Sequence, residues 1–425
     1  MTTAVAEKAA EAVAGLGLPA IAGGEKAKQT PYGSTQRYGD EELQELREAL
    51  DQGTLFYAQG QKVRQLEEEF AAKHGAKFAV TCTSGTAAIH IALIALGISP
   101  GDEVIVPPIT DMGTLAPVLY QGAVPVFADL TPHGYALDPA SVEAAITERT
   151  RAVIAVHLWG NACAQSSTRK TPLRSQSERS AFRSQAFGCT YEGKAVGTFG
   201  HVGCYSYNEF KHISCGDGGI VLTDDPAVAK RLRLATDKCY DRSPDALVRQ
   251  PTFLANNYRM TELQGAVARA QLRKLDGIVA RRRAWCSGLL EELRGTPGIR
   301  VPEATAGSDP SWWFFLMRVV PGELGGADAD AFAKALAAEG VRASAHYIGK
   351  PIYQYPIFTD HSAFERGGHP YDAVDYAAVS CPVAEAILET GVMLPVNEGF
   401  TETDRIEVAR AVKRVAAWFA SGKAA

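Results

Sequence analysis

The chain has no C-x-x-C pair, no internal repeat, no long apolar run and no excess of positive charge, and each absence removes a class of function. Its eight cysteines, at 82, 163, 189, 204, 215, 239, 286 and 381, fall at irregular spacings. That argues against a zinc site or a disulfide framework and for free thiols in a reducing cytoplasm. A net charge of -5 argues against an electrostatic nucleic-acid binder. No stretch approaches the roughly eighteen apolar residues of a membrane span. The opening MTTAVAEKAAEAVAGLGLPA meets Glu and Lys too early for a secretory signal, so a cytoplasmic protein is expected. What remains is ordinary for a globular enzyme: 46% hydrophobic and 21% charged residues, and 425 positions, enough for one large domain and a smaller one.

Residues 1–35 read as a loosely held leader with a turn at Gly23-Gly24. A helix is expected from Asp40, with acids in its first turn and Leu43, Leu46 and Leu50 on one face. A second, from about Gly60 to His74, uses Val63, Leu66 and Phe70. From Phe78 short apolar strands ("FAVTC", "EVIVPP", "PVFADL", "AVIAVHLWG") alternate with helical segments, the mark of βαβ units and a mainly parallel sheet. "HVGCYSY" and "GGIVLTD" are strand-like. A long helix, 261–293 with Thr261 as its N-cap, leads out of a large domain at 36–280 into a smaller α+β domain at 281–425.

Three segments carry chemistry. In "TCTSGTAAIHIAL" a strand ends, Ser84-Gly85-Thr86 turn, and a helix starts, so free N–H groups and hydroxyls could hold a phosphate. A plain Ser/Thr helix cap beside a packing glycine has the same pattern. In "GCYSYNEFKHISCGDGG", Ser206 lies on a strand and Lys211 follows before a glycine-rich loop. A partly desolvated lysine can form a Schiff base with an aldehyde, although most lysines near glycines are solvated loop charges. In "NYRMTELQGA", Asn257 stands just ahead of the long helix, where a simple turn is equally expected.

In this order the three segments resemble the DegT/StrS family of sugar and aminocyclitol aminotransferases, fold-type I enzymes that use pyridoxal 5'-phosphate (PLP). The likeness runs from about residue 40 to 420 and includes "EEEFAAKHGAKFAVTCTSGTAAIHIAL", "GDEVIVPP", "AVPVFADL", "YRMTELQGA" and "CPVAEAI". It implies a large domain with a mainly parallel sheet flanked by helices and a smaller α+β C-terminal domain. It also implies that Lys211 binds PLP through a Schiff base and then serves as proton carrier. Gly85, Thr86 and Ser206 match phosphate-binding positions, and Gln185 matches a glutamine on the cofactor's phenolic oxygen. Asn257 resembles an asparagine that reaches the phosphate of a neighbouring subunit, which implies a homodimer with shared active sites. The implied reaction moves an amino group from glutamate or glutamine to a keto-sugar, nucleotide-linked, or to a keto-cyclitol, in antibiotic or surface-sugar biosynthesis. Tyr57, His346 and Tyr347 lie on loops that could meet such a substrate, whereas Trp312 and Trp313 are expected in the small-domain core and interface.

Two departures stand out. Where the family places an aromatic to stack on the pyridine ring, this chain has Asp111, with Met112 next to it as an alternative cover. Where the family has an aspartate that keeps the pyridine nitrogen protonated, this chain has Phe182. Phe182 belongs to an anomalous segment, 162–184. Between Ser166 and Ser184 it holds six Ser, four Arg and one Lys, with no Val or Ile. A buried strand of that composition would enclose unpaired charge. Three readings stand beside one another: a surface insertion, a compensated reading-frame excursion that preserves length, and a diverged homologue. The last raises an alternative function, a PLP-binding protein of weak or no activity. Resequencing the coding DNA decides the second, which fails if no frame-shifted match to an apolar strand ending in Asp is found.

Overall fold

The computed structural model describes residues 15–163, 186–242 and 250–422. Gln185 and Phe182, with most of the anomalous segment, lie outside the described residues. The chain opens with α1 (Asp40–Asp51) and α2 (Lys62–His74). It continues as β1 (Phe78–Cys82), α3 (Gly85–Ala95), β2 (Glu103–Val106), α4 (Met112–Tyr120), β3 (Val124–Phe127), α5 (Pro139–Ala144) and β4 (Thr150–Val153). Next are β5 (Thr190–Tyr191), β6 (Lys194–Ala195), β7 (Gly203–Ser206), β8 (Gly219–Thr223), α6 (Pro226–Thr236) and α7 (Glu262–Leu293). The C-terminal part has β9 (Ile299–Arg300), β10 (Ser308–Asp309), β11 (Phe314–Val319), α8 (Ala329–Ala338) and β12 (Ser344–Ala345). It closes with α9 (Pro382–Thr390), β13 (Gly391–Pro395) and α10 (Glu402–Ala420).

The parallel sheet expected from the alternating pattern is present as β3–β2–β4, in which both pairings are parallel. A second set, β1–β8–β7, has β8 running against both neighbours. The reason is local: no helix intervenes between β7 and β8, and a parallel pairing needs a crossover that usually contains one. In the C-terminal part β12–β13–β11–β9 form an antiparallel sheet.

Helix α3 positions the site. Every residue from Ala87 to Ala95 is buried, and the helix packs on α4, α6 and β7. All-round apolarity of this kind belongs to a helix enclosed in a core. Val63, Leu66 and Phe70 of α2 are buried as their spacing predicts. Helix α1 differs: Leu43 and Leu50 are 52% and 60% exposed, and the buried face is Glu42, Glu45 and Ala49. Ion pairs explain it, for Glu42 meets Lys274 and Glu45 meets Arg269 and Arg273, all from α7. Thr261 caps α7 by accepting the N–H of Gln264, whose side chain in turn accepts the N–H of Thr261.

The leader is less loose than its sequence suggests. Ala27 and Lys28 are buried, and Nζ of Lys28 lies 2.7 Å from Asp404 and 2.8 Å from Glu407 on α10. Glu339, after α8, accepts the N–H groups of Ala20 and Ala27. Partners more than 300 positions away leave no trace in local composition.

Candidate active site

Lys211 stands in the loop between β7 and β8, and its side chain borders a cavity of about 520 Å³. Gly85, Thr86, Asp111, Ser206, Trp313 and Tyr347 also line that cavity. Strand β1 delivers the turn at the start of α3. There the Ser84 hydroxyl accepts the N–H of Ala87 at 3.0 Å, leaving the first N–H groups of the helix at the cavity. Strand β7 delivers Ser206, whose Oγ accepts the N–H of Asn208 at 3.2 Å. A Cβ on Gly85 would lie 2.5 Å from the Cβ of Ser206, so only glycine fits there. Helix α4 begins at the same place. A Cβ on Gly113 would meet Thr86 Oγ1 at 2.6 Å and Asp111 Oδ1 at 2.8 Å.

Two parts of the cavity lining therefore differ in chemistry. One offers a helix N-terminus with the hydroxyls of Thr86 and Ser206, suited to a phosphate. The other offers a primary amine. Burial lowers the pKa of Lys211 from 10.5 to about 8, and the charge of Asp111 offsets this only in part. An amine so tuned is nucleophilic near neutral pH. The donor set fits pyridoxal phosphate, an aldehyde carrying a phosphate: the turn at Gly85 would admit the phosphate and Lys211 could meet the aldehyde.

Of the residues singled out in the sequence, Gly85, Thr86, Ser206 and Lys211 are brought together. Asn257 is not: it is exposed and forms a backbone bridge with Asp237, away from the cavity. Asp237 is fully buried and ties that loop down by accepting from Arg242, Arg259 and the Tyr57 hydroxyl. Burial, reinforced by the Asp237 charge, raises Tyr57 to about 12 and keeps it a donor. His346 pairs with Asp330 rather than facing the cavity, while its neighbour Tyr347 lines it.

Trp313 is the residue that sequence reasoning misplaced. Trp312 is buried as expected, but the Trp313 ring lies over Lys211, with Nζ 3.7 Å from its centroid. The pair "WW" at the start of an apolar strand is indistinguishable from core until the fold sets one ring at the cavity. Met112 packs against the core, and Asp111 caps α4 by accepting the N–H of Gly113 at 2.7 Å.

Comparison with known proteins gives the family. Residues 36–413 match the model of the DegT/DnrJ/EryC1/StrS aminotransferase family. The chain is 33% identical over 358 residues to the GDP-perosamine synthase of Caulobacter vibrioides, covering 84% of this chain and 90% of that protein. It is also 33% identical over 385 residues to the UDP-N-acetyl-3-dehydro-alpha-D-glucosamine 3-aminotransferase of Acidithiobacillus ferrooxidans, covering 88% and 94%. Among solved structures, S. venezuelae DesV superposes with a TM-score of 0.77 at 32% identity, covering 88% of this chain and 94% of that one. The synthase of 3-amino-5-hydroxybenzoic acid gives 0.79 at 28% identity, covering 91% and 99%. These likenesses confirm the fold-type I architecture. The chain belongs to the DegT/DnrJ/EryC1/StrS family of PLP-dependent aminotransferases.

Proposed function

We propose that the protein transfers an amino group from glutamate or glutamine to the keto group of a nucleotide-linked sugar or a cyclitol. The observation that carries this reading is Lys211, an amine with a lowered pKa that shares one cavity with the N-terminus of α3 and Ser206. The names of the sugar-modifying relatives favour a keto-sugar acceptor. PLP, when bound, supplies the electron sink for the reaction. The chain's own residues do the rest. Thr86, Ser206 and the α3 N–H groups hold the phosphate. Lys211 would carry a proton on Nζ from one side of the transfer to the other. Trp313 and Tyr347 wall the cavity against water.

The site is completed in a homodimer, in which Asn257 of the partner subunit reaches the phosphate. Exposure supports this: Phe210, beside Lys211, is 77% exposed and Leu254, near Asn257, is 92% exposed. The leucine face of α1 is also left open. Assaying keto-sugars and keto-cyclitols with each donor tests the reading, and amination of none of them by either donor contradicts it.

Phe182 motivates a second reading, a PLP-binding dimer that transfers no amino group. Under it, purified protein binds PLP but glutamate and glutamine leave its visible spectrum unchanged. Phe182→Asp then restores transfer only if the acid alone is lacking.

A further inference from the structure

We propose that Trp313 is a positioning residue for Lys211, a cover that holds the amine in place and keeps water from it. The inference rests on Lys211 being the reactive amine of this enzyme.

The geometry is built from both sides. The Trp313 indole N–H donates to the carbonyl of Phe210 at 2.7 Å, fastening the ring to the residue before the lysine. The residue after it is fastened the other way: His212 Nε2 lies 2.9 Å from the carbonyl of Ser311. Segment 311–313 thus grips segment 210–212 at two points, and the Trp313 ring faces Nζ of Lys211 at 3.7 Å.

That segment is held in a strained form. Trp312 has φ 55 and Trp159 φ 50, left-handed values that bulky residues seldom adopt. The two rings pack at 4.6 Å, and Trp312 also stacks on Phe315 at 5.6 Å and 14°. Backbone bonds lock the pair: Ser311 N–H donates to the Gly160 carbonyl at 3.0 Å and Trp313 N–H to that of Trp159 at 2.9 Å. Side-chain stacking and backbone pairing offset the strain, and the result is a turn that aims Trp313 at the cavity.

Two effects of the ring oppose each other at the amine. Its face attracts an ammonium, while its bulk removes water from that same charge. The 3.7 Å approach of the ring to Nζ makes Trp313 part of the cover. Burial lowers the lysine to about 8, and the Asp111 charge offsets this only in part. The other ionisable neighbours do not cancel it. Asp217 borders the same cavity, and Arg37 donates to the Lys211 carbonyl rather than to Nζ. Glu209 is engaged by Tyr38 and Arg37. His212 is fully buried and held neutral.

The test is the pH profile of Lys211 acetylation by acetic anhydride in full-length protein freed of cofactor, read by peptide mass spectrometry. Trp313→Phe keeps a ring and Trp313→Ser admits water. With the natural residue the midpoint is expected near 8. Trp313→Phe should stay within about half a unit, and Trp313→Ser should rise by about one unit or more, slowing acetylation at pH 8 several-fold. Lysines elsewhere in the same digest should not move. An unshifted midpoint in Trp313→Ser overturns the proposal, as does a Lys211 midpoint near 10 in the natural chain. Failure of PLP to attach to Lys211, measured separately, would instead overturn the enzymatic reading.

Discussion

A methyl group on Gly85 would lie 2.5 Å from the Cβ of Ser206 and 2.9 Å from its Oγ, so the start of α3 and the end of β7 meet with no space between them. The proposed phosphate-binding turn depends on that closeness. Gly85→Ala should push the turn off Ser206 and weaken PLP binding about tenfold or more, equivalent to at least about 1.4 kcal/mol. An absorbance titration with PLP measures this, and circular dichroism confirms that the fold persists.

Lys211 places a burden on the cofactor-free fold. Its folded value of about 8 lies below the ordinary 10.5. Between those values the unfolded chain binds a proton that the folded chain does not, so stability rises with pH through this window. At neutral pH the charged amine disfavours folding. Lys211→Met should therefore stabilise the cofactor-free protein at pH 7 by on the order of 2 kcal/mol. Denaturant melts across pH check this, and the gain should fade above about pH 10.

Lys28 fastens the leader to α10. Its side chain is 2% exposed and that of Asp404 fully buried, 2.7 Å apart. Lys28→Met leaves the carboxylate buried without its cation, and should cost about 3–5 kcal/mol. Burial pushes the Asp404 carboxyl up, but hydrogen bonds from Lys28 and from the N–H groups of Thr401 and Gly33 outweigh it and hold it low. That stabilisation is present above the ordinary carboxylate range and is lost as pH falls through the lowered value. Acid melts of the variant should begin at higher pH than those of the natural chain.

The exposed leucines of α1 make a prediction about assembly. Leu43 and Leu50 are 52% and 60% exposed on a helix whose inner face is made of ion pairs. If they meet a second copy, the double change Leu43→Asp, Leu50→Asp should shift the sedimentation coefficient from dimer to monomer and weaken PLP binding with it. Monomer stability should change little, because these side chains touch solvent in the single chain.

Much of this was legible in the sequence where the physics is local. Thr261 and Gln264 announce the start of α7 because a capping box is written in four consecutive residues. Ser84-Gly85-Thr86 and Ser206 with Lys211 point to the site because strand ends and helix starts are short-range features. What escaped depends on distant pairing. Trp313 reads as core because nothing in "SWWFF" shows that Trp312 takes a left-handed turn and sends the next ring over Lys211. The inward face of α1 was hidden because its glutamates are buried by cations more than 220 positions away. Asn257 is exposed and does not line the cavity of the single chain, and nothing in "NYRMTELQGA" alone separates a site residue from a turn before a helix.

The central claim is that Lys211 holds PLP and that an amino donor transfers its nitrogen there. Borohydride reduction of the PLP-loaded protein, followed by peptide mapping with and without glutamate or glutamine, tests it most directly. The account predicts a phosphopyridoxyl group on Lys211 that is lost when the correct donor is added before reduction, because the cofactor then leaves the lysine as an amine. A label that stays on Lys211 with both donors, or that is found on another residue, would contradict it.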